Sequence, residues 1–332
     1  MGKASRQSSR ERLREERQKS AQRAKRNKVL AVAGAALAVI VLIVGGGYLY
    51  LSSERRAEQE FADQYASLPP QALQDDGSVV LAREGASAPV VEVYADYQCP
   101  ACRQFEIASG PTLQRLATEG RAIVHYRPVS IFAQQPAPLS ANSLRGGAAA
   151  RAAADQGKYV EYNDILFDNQ PAEGSAGFSA SDLKQWGKDA GIEDTAAFDE
   201  RVDSENDVVE RFTGSYSQEL ISRAQEAFSA EQLQGMSLSE IIAWGNDNGV
   251  DGSFLDGTYV NELIQATAAV GAKYSSGADK FDSTPSVYVD GAKLGNDAFS
   301  GNGIEKAVES AGPGEVDTRP LAADDSAVTE VP

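Results

Sequence analysis

The longest apolar run lies near the N-terminus of the chain. Residues 29–51 contain 23 consecutive residues without a charged side chain, and a helix of about 20 apolar residues spans the hydrocarbon core of a bilayer. The preceding residues 1–28 carry 11 Lys or Arg against 3 Glu. Because basic residues mark the cytoplasmic end of a membrane helix, we expect a basic cytoplasmic tail, a transmembrane helix over residues 29–51 and an outward-facing remainder.

A cleaved signal peptide is the alternative to this anchor. The apolar core of a signal peptide normally has about 7–15 residues and is followed by a small-residue cleavage site. The run in this chain is longer, and Ser-Ser-Glu-Arg-Arg follows it. The pattern therefore favours an uncleaved anchor, followed by a polar, partly helical linker over residues 52–77.

Short β-branched runs predict an α/β domain over residues 78–311. A lead-in strand is predicted at residues 79–81 and a buried strand at residues 90–94. Residues 101–116 have a helical pattern, and residues 122–126 form the next strand-like run. Strand, helix and parallel strand make up the crossover unit of an α/β sheet.

The β pattern returns near the C-terminal end. Residues 286–289 and 292–294 flank the dipeptide Asp290-Gly291, which is a strong hairpin signal. A last helix is predicted over residues 303–311. The acidic residues 312–332 are typical of a disordered tail.

A large helical insertion, about residues 140–280, separates the two strand-rich parts. It contains a weak repeat in which residues 178–192 match residues 236–250 at 6 of 15 positions, including Trp186 with Trp244. Each copy begins with a serine at cap spacing and ends with a glycine, which predicts two capped helices. The insertion is either an enlarged lid or partner surface, or simply a longer helical subdomain, and the second interpretation is favoured.

Charge limits the classes of function. The formal net charge is -17, and because residues 1–28 are basic, the rest of the chain is strongly acidic. Nucleic-acid binding requires a basic face for phosphate contacts, so that class is disfavoured. The acidity is most simply explained by solubility.

The chain contains two cysteines, Cys99 and Cys102, placed where the apolar strand stops. A bridge between them closes a loop too short to add much stability, so chemistry is a better explanation than a structural disulfide. We expect Cys99 at the N-cap of a helix, Pro100 at its first position, and Ala101 and Cys102 in its first turn. A helix N-terminus stabilises a thiolate, and the pattern therefore predicts a redox-active pair.

A second segment completes the candidate site. Thr284 and Pro285 stand immediately before the predicted strand 286–289, where a cis X-Pro bond is plausible. If this loop lies opposite the cysteines, the backbone of Thr284 can pair with an extended substrate.

The stretches DYQCPAC and DSTPSVYVDG, with a helical insertion between them, resemble the DsbA-type thiol-disulfide oxidoreductases of the thioredoxin superfamily, in their membrane-anchored actinobacterial form. The resemblance covers about residues 76–311. It implies a thioredoxin-like fold with a large all-helical insertion, Cys99 as nucleophile, Cys102 as its partner, and Thr284 with Pro285 as a cis-proline substrate loop. It also implies a membrane reoxidant of the DsbB or VKOR type, and the chemistry requires no metal or organic cofactor.

The sequence departs from this family at two positions. Where family members often have a buried glutamate, six residues before the first cysteine, this chain has Val93, and Glu92 lies one place earlier. Because strand side chains alternate, we expect Glu92 on the opposite face and leave it out of the catalytic set. Ala101 replaces a thiolate-stabilising histidine of the strongly oxidising members, which predicts a less acidic Cys99.

Other candidate residues have structural interpretations. A zinc site needs four ligands, whereas the chain has two cysteines and the single histidine His125. We expect His125 to be structural, and Trp186 and Trp244 to anchor their helices in the core. Asp96 and Tyr97 either shape the loop or are solvated, and solvation is the favoured interpretation.

Three functions follow from these patterns. The first is an extracytoplasmic, membrane-tethered oxidoreductase that introduces disulfides into reduced exported proteins. The second is a thiol reductase or isomerase of the same fold, in which electrons flow the other way. The third is a binding or assembly module whose cysteines are inert and whose helical insertion carries the function.

Overall fold

The computed structural model describes residue 19 and residues 61–316. Apart from residue 19, the predicted basic tail lies outside these residues, as do the predicted transmembrane helix and residues 317–332 of the predicted tail. Within them, no helix is both long enough and apolar enough to span a bilayer. The chain divides into two compact units, residues 1–64 and 65–332, and the second unit contains the whole sheet.

One mixed sheet forms the centre of the second unit. Its spatial order is β1-β2-β4-β3-β5-β6, with β3 parallel to β4 and every other pair antiparallel. Every residue of β3 and β4 is buried, as is typical of strands covered on both faces. The strands are β1 Gln71–Leu73, β2 Val79–Leu81, β3 Val90–Ala95, β4 Ile123–Pro128, β5 Ser286–Val289 and β6 Ala292–Leu294.

A single helix, α1 (Pro100–Glu119), joins the two parallel strands. It ends at Gly120, whose φ of 71° is the left-handed conformation that glycine adopts at helix ends. The predicted strand-helix-parallel strand unit is therefore confirmed.

Helices fill the chain between β4 and β5. The longest of them, α2 (Leu139–Asp155) and α5 (Thr195–Arg211), pack against each other. A helix at the C-terminal end, α10 (Gly301–Ser310), packs on α1. The insertion helices are α2 Leu139–Asp155, α3 Tyr159–Asp168, α4 Ala180–Asp189, α5 Thr195–Arg211, α6 Ser217–Ala227, α7 Ala230–Gly235, α8 Leu238–Asp247 and α9 Tyr259–Lys273, with a π-helical turn at Phe212–Tyr216 and a 3-10 turn at Ser253–Leu255.

The two copies of the repeat form helices α4 and α8, and both have the predicted caps. Ser179 Oγ accepts the Asp182 N–H in the first copy, and Ser237 with Glu240 forms a full capping box in the second. The glycines that follow have φ values of 79° and 84°. The two tryptophans are only half-buried, so they are not the core anchors that the sequence predicted.

Two predicted boundaries need correction. Residues 71–73, assigned to the linker, form the edge strand β1 beside β2. In the predicted disordered tail, the Gly314 N–H donates to the Ala88 carbonyl at 3.1 Å, and Val316 packs against a buried apolar cluster. Both segments pair with the rest of the chain through backbone hydrogen bonds. The pattern of apolar and polar side chains does not predict such pairing.

A buried ion cluster ties β3 to the end of α9. Glu92 is 6% exposed, and its carboxylate accepts hydrogen bonds from Lys273 Nζ at 2.8 and 3.0 Å and from the Tyr274 hydroxyl at 2.6 Å. Burial alone would raise the pKa of Glu92, but the hydrogen bonds from Lys273 and Tyr274 outweigh it and hold the pKa below its usual range. Glu92 therefore acts as a structural anion on the face of the sheet that α9 covers.

Replacing Glu92 by alanine should lower the free energy of unfolding by about 3 kcal/mol at neutral pH, because it leaves a partly buried ammonium group without its partner. Since the folded-state pKa of Glu92 is depressed, its contribution is present above the unfolded-state pKa and is lost as the pH falls through the folded-state pKa. Urea unfolding at neutral and acidic pH checks both expectations. Glu119→Gln, at an exposed ion pair, is the control and should change little; an equal loss in both variants would contradict this account.

Candidate active site

The turn between β3 and α1 places Cys99 at the N-cap of the helix. Cys99 has extended backbone dihedrals, with φ -81° and ψ 116°, and Pro100 occupies the first helical position. The Cys99 carbonyl accepts the N–H groups of Cys102 at 3.0 Å and Arg103 at 3.3 Å. Proline lacks an N–H, so placing it at the first helical position removes one of the amide groups that have no partner within the helix.

The structure brings Cys99, Cys102 and Thr284 together. Both cysteines are free thiols, 6% and 0% exposed. Cys99 Sγ lies 3.3 Å from the Thr284 carbonyl oxygen, to which the protonated thiol can donate a hydrogen bond. The Asp96 N–H donates to Cys102 Sγ at 3.4 Å. The Thr284–Pro285 peptide bond is cis. The sequence thus identified a set of residues that are close in space, and their catalytic roles remain predictions.

The two sulfurs differ in acidity. The hydrogen bond from the Cys102 thiol is the largest effect on the pKa of Cys99. Together with the Thr284 side chain and the backbone amides of Cys102 and Ala101, it outweighs burial and lowers the pKa of Cys99 to about 6. Burial raises the pKa of Cys102 well above its usual value. Ala101 contributes a backbone amide instead of a histidine side chain. At neutral pH, Cys99 is therefore the thiolate and Cys102 the thiol.

Asp96 is buried beneath the cysteines, and the expectation that it is solvated was wrong. Its side chain is 0% exposed, with Oδ1 accepting the Gln98 N–H at 2.8 Å and Oδ2 accepting the Ser143 hydroxyl at 2.8 Å. Burial raises the pKa of Asp96 to about 7 in spite of these hydrogen bonds. Because Ser143 lies on α2, the cover over Asp96 comes from the insertion, far away in sequence.

Tyr97 is also buried, contrary to expectation. It is 1% exposed, and its ring stacks on Phe167 of α3 with centroids 4.8 Å apart. Its hydroxyl donates to Asn163 Oδ1 at 2.8 Å. Tyr97 therefore fixes the cysteine turn, residues 97–99, to the insertion.

Glu106, a buried carboxyl on α1, was missed because a glutamate on a helix usually faces solvent. It lies one turn after Cys102, a spacing that makes the two side chains neighbours on the helix surface. Burial raises the pKa of Glu106 to about 8. It is therefore mostly neutral at neutral pH and adds little negative charge near the thiolate.

His125 has a structural environment. Its Nε2 lies 2.6 Å from Ser78 Oγ, and burial lowers the pKa of His125 to about 4, so the ring is neutral. The described part of the chain contains no group of three His, Cys, Asp or Glu side chains suited to a metal ion.

The thiolate absorbance of the reduced protein should titrate with a midpoint at about pH 6. Cys99→Ser should remove this transition, whereas Cys102→Ala should move it upward because the strongest hydrogen bond to the thiolate is lost. In the native protein, alkylation should modify Cys99 before Cys102. A midpoint in the ordinary cysteine range near about 8.5, with equal labelling of both thiols, would instead support an inert pair.

Part of the chain is similar in sequence to a known protein family. A family model described as Thioredoxin matches residues 84–227, a range that includes both cysteines, α1 and the first half of the insertion. No curated protein matches the chain.

Several solved structures are similar to this chain at low identity. MdbA from Corynebacterium matruchotii, a thiol-disulfide oxidoreductase, is 19% identical, with 74% of this chain and 96% of that chain covered and a TM-score of 0.46. BdbD from Bacillus subtilis is 14% identical, with 73% and 96% covered and a TM-score of 0.46. DsbA from Mycobacterium tuberculosis is 20% identical, with 69% and 93% covered and a TM-score of 0.40.

The predicted thioredoxin-like α/β fold is supported by the sequence match over residues 84–227. The Cys-Pro-Ala-Cys segment lies within that match, at the start of α1. Residues 84–227 are therefore similar to the thioredoxin family.

Proposed function

We propose that the chain is an extracytoplasmic thiol-disulfide oxidoreductase that introduces disulfides into exported proteins through Cys99 and Cys102. The observation that carries the proposal is the unequal acidity of the two sulfurs. The pKa of Cys99 is lowered to about 6, while that of its buried neighbour is raised. A low thiol pKa at a helix N-terminus is typical of reactive cysteines, whereas structural buried cysteines are inert.

In the oxidising direction, the cysteines begin as a disulfide. A substrate thiolate attacks Cys99 Sγ, the S–S bond breaks, and Cys102 leaves with the electron pair and takes up a proton. A second substrate thiolate then attacks the substrate sulfur of the mixed disulfide, and Cys99 leaves as a thiolate. The substrate loses two electrons and the cysteine pair gains them. The low pKa of Cys99 favours this second step, because an acidic thiol is a good leaving group.

Thr284 and Pro285 supply the substrate-binding loop in this proposal. The Thr284 carbonyl, 3.3 Å from Cys99 Sγ, lies where the backbone of an extended substrate segment would pass the reactive sulfur. Pairing of main-chain groups would orient such a segment without selecting its side chains. That would suit an enzyme with many substrates.

Each turnover leaves the cysteines reduced, so continued oxidation requires an electron acceptor. We assign this role to a membrane reoxidant of the DsbB or VKOR type. An anchor at residues 29–51 would hold the domain at the membrane surface near such a partner, on the extracytoplasmic side where disulfides persist.

A reductase or isomerase is the second candidate, favoured by one observation. Ala101 offers only a backbone amide to the thiolate, and a less stabilised thiolate makes a pair less oxidising. The third candidate is a redox-inactive binding module, in which the helical insertion carries the function.

Refolding of a reduced, disulfide-dependent protein tests the first candidate. The full chain in its oxidised form should accelerate recovery of the refolded protein, and Cys99→Ser should abolish the acceleration because no mixed disulfide can form at position 99. Measured recovery of activity in the refolded protein gives the result. No difference between the native chain and Cys99→Ser would favour the inert module.

The reduction potential, measured by equilibration with glutathione, separates the first two candidates. A value towards about -120 mV indicates a donor of disulfides, and one near about -270 mV indicates a reductase.

Anchoring is tested in cells that express the full chain. A membrane-impermeant maleimide should label reduced Cys99 from outside, and the chain should remain with the membrane fraction. Deletion of residues 29–51 should leave the domain unlabelled inside the cell, because it lacks the segment that directs export. External labelling of the deletion variant would contradict the anchor.

A further inference from the structure

The side chain of Gln170 contacts the cysteine turn from the insertion. Its Nε2 donates to the Tyr97 carbonyl at 2.9 Å and to the Cys99 carbonyl at 3.0 Å. Carbonyl oxygens only accept hydrogen bonds, so the nitrogen of the amide must face the turn. One side-chain amide thus joins the two carbonyls on either side of Gln98.

Gln98 makes the reciprocal contact. Its side chain is 0% exposed, its Nε2 donates to the Pro171 carbonyl at 3.1 Å, and its Oε1 accepts a hydrogen bond from Asn142 Nδ2 at 2.5 Å. The cysteine turn and residues 170–171, which follow α3, are therefore connected by side-chain amides in both directions. Moving either segment would leave buried polar groups without partners, which is costly.

The end of α3 provides a fixed base for Gln170. The Phe167 carbonyl accepts Arg103 Nε of α1 at 2.8 Å, and the Phe167 ring stacks on Tyr97. Gln170 therefore extends from a helix end that is already tied to the first turn of α1.

We propose that Gln170 is a positioning residue for Cys99: its amide fixes the cysteine turn, and with it the place of Cys99 Sγ at the start of α1. The inference rests on the proposed function, because the position of this sulfur matters only if the sulfur reacts. Gln170 also adds a third donor to the Cys99 carbonyl, which already accepts two helix N–H groups. The Cys99 carbonyl oxygen is the negative end of a peptide dipole in the same residue as the thiolate. These donors offset that negative charge.

Gln170→Met in the full chain tests the proposal, because methionine has nearly the same length and no hydrogen-bond donor. The pH midpoint of Cys99 alkylation should rise, and alkylation below that midpoint should slow about threefold to tenfold, the range for loss of an ordinary hydrogen bond. The glutathione equilibrium should move towards the disulfide by a similar factor, because the reduced form loses thiolate stabilisation.

Two further variants control this experiment. Gln185→Met removes a side-chain amide that donates to Asp189 on the exposed side of α4, and it should leave the midpoint unchanged. Gln170→Glu keeps the shape of the side chain but sets carboxylate oxygens against two carbonyls, so the midpoint should rise further than in Gln170→Met. Circular dichroism shows whether each variant is folded.

An unchanged midpoint and glutathione equilibrium in folded Gln170→Met would overturn the proposal. If that variant does not fold, the native chain gives an independent reading by NMR. The side-chain amide protons of Gln170 should exchange slowly and shift with the same pH midpoint as Cys99, and fast exchange without a shift would refute the proposal. These measurements need no substrate protein, so a failed refolding assay would reject the proposed function separately.

Discussion

Hydrogen-bond donors converge on the sulfur of Cys99 at the first turn of α1. An ionised group with so little exposure is stable only when donors replace the lost water. The Cys102 thiol, the Thr284 side chain and the amides of Ala101 and Cys102 supply that replacement. The sheet supports this arrangement, because β3 ends where the turn begins and β5 follows the loop that brings Thr284 to the sulfur.

Charge is distributed unequally between the two faces of the sheet. On the α9 face, Glu92 is ionised and bound by Lys273 and Tyr274. Near the cysteines, burial raises the pKa of Glu106 and of Asp96, which favours their neutral forms. Competing negative charge beside the thiolate is thereby reduced.

The helical insertion contributes to the site as well as to the core. Parallel strands buried on both faces need cover, and helices of the insertion provide part of it. The same helices hold the cysteine turn, through Ser143 on Asp96, Phe167 on Tyr97 and the amide of Gln170. A change in the insertion can therefore reach the reactive sulfur without touching the cysteines. The insertion therefore helps to position the reactive cysteine, in addition to lengthening the helical part of the chain.

Local sequence patterns were enough to predict most of the strands and the position of the cysteines. The β-branched runs predicted β2, β3 and β5, and the Asp-Gly dipeptide predicted the hairpin to β6. The Cys-Pro-Ala-Cys segment after a strand predicted a sulfur at a helix start. These features were predictable because they depend on residues adjacent in the chain. The edge strand β1 and the burial of Asp96, Tyr97 and Gln98 were decided only in the tertiary structure. Their partners lie between 6 and 73 residues away. A contact through backbone groups, or with a distant segment, leaves no periodicity in the side-chain pattern of either partner.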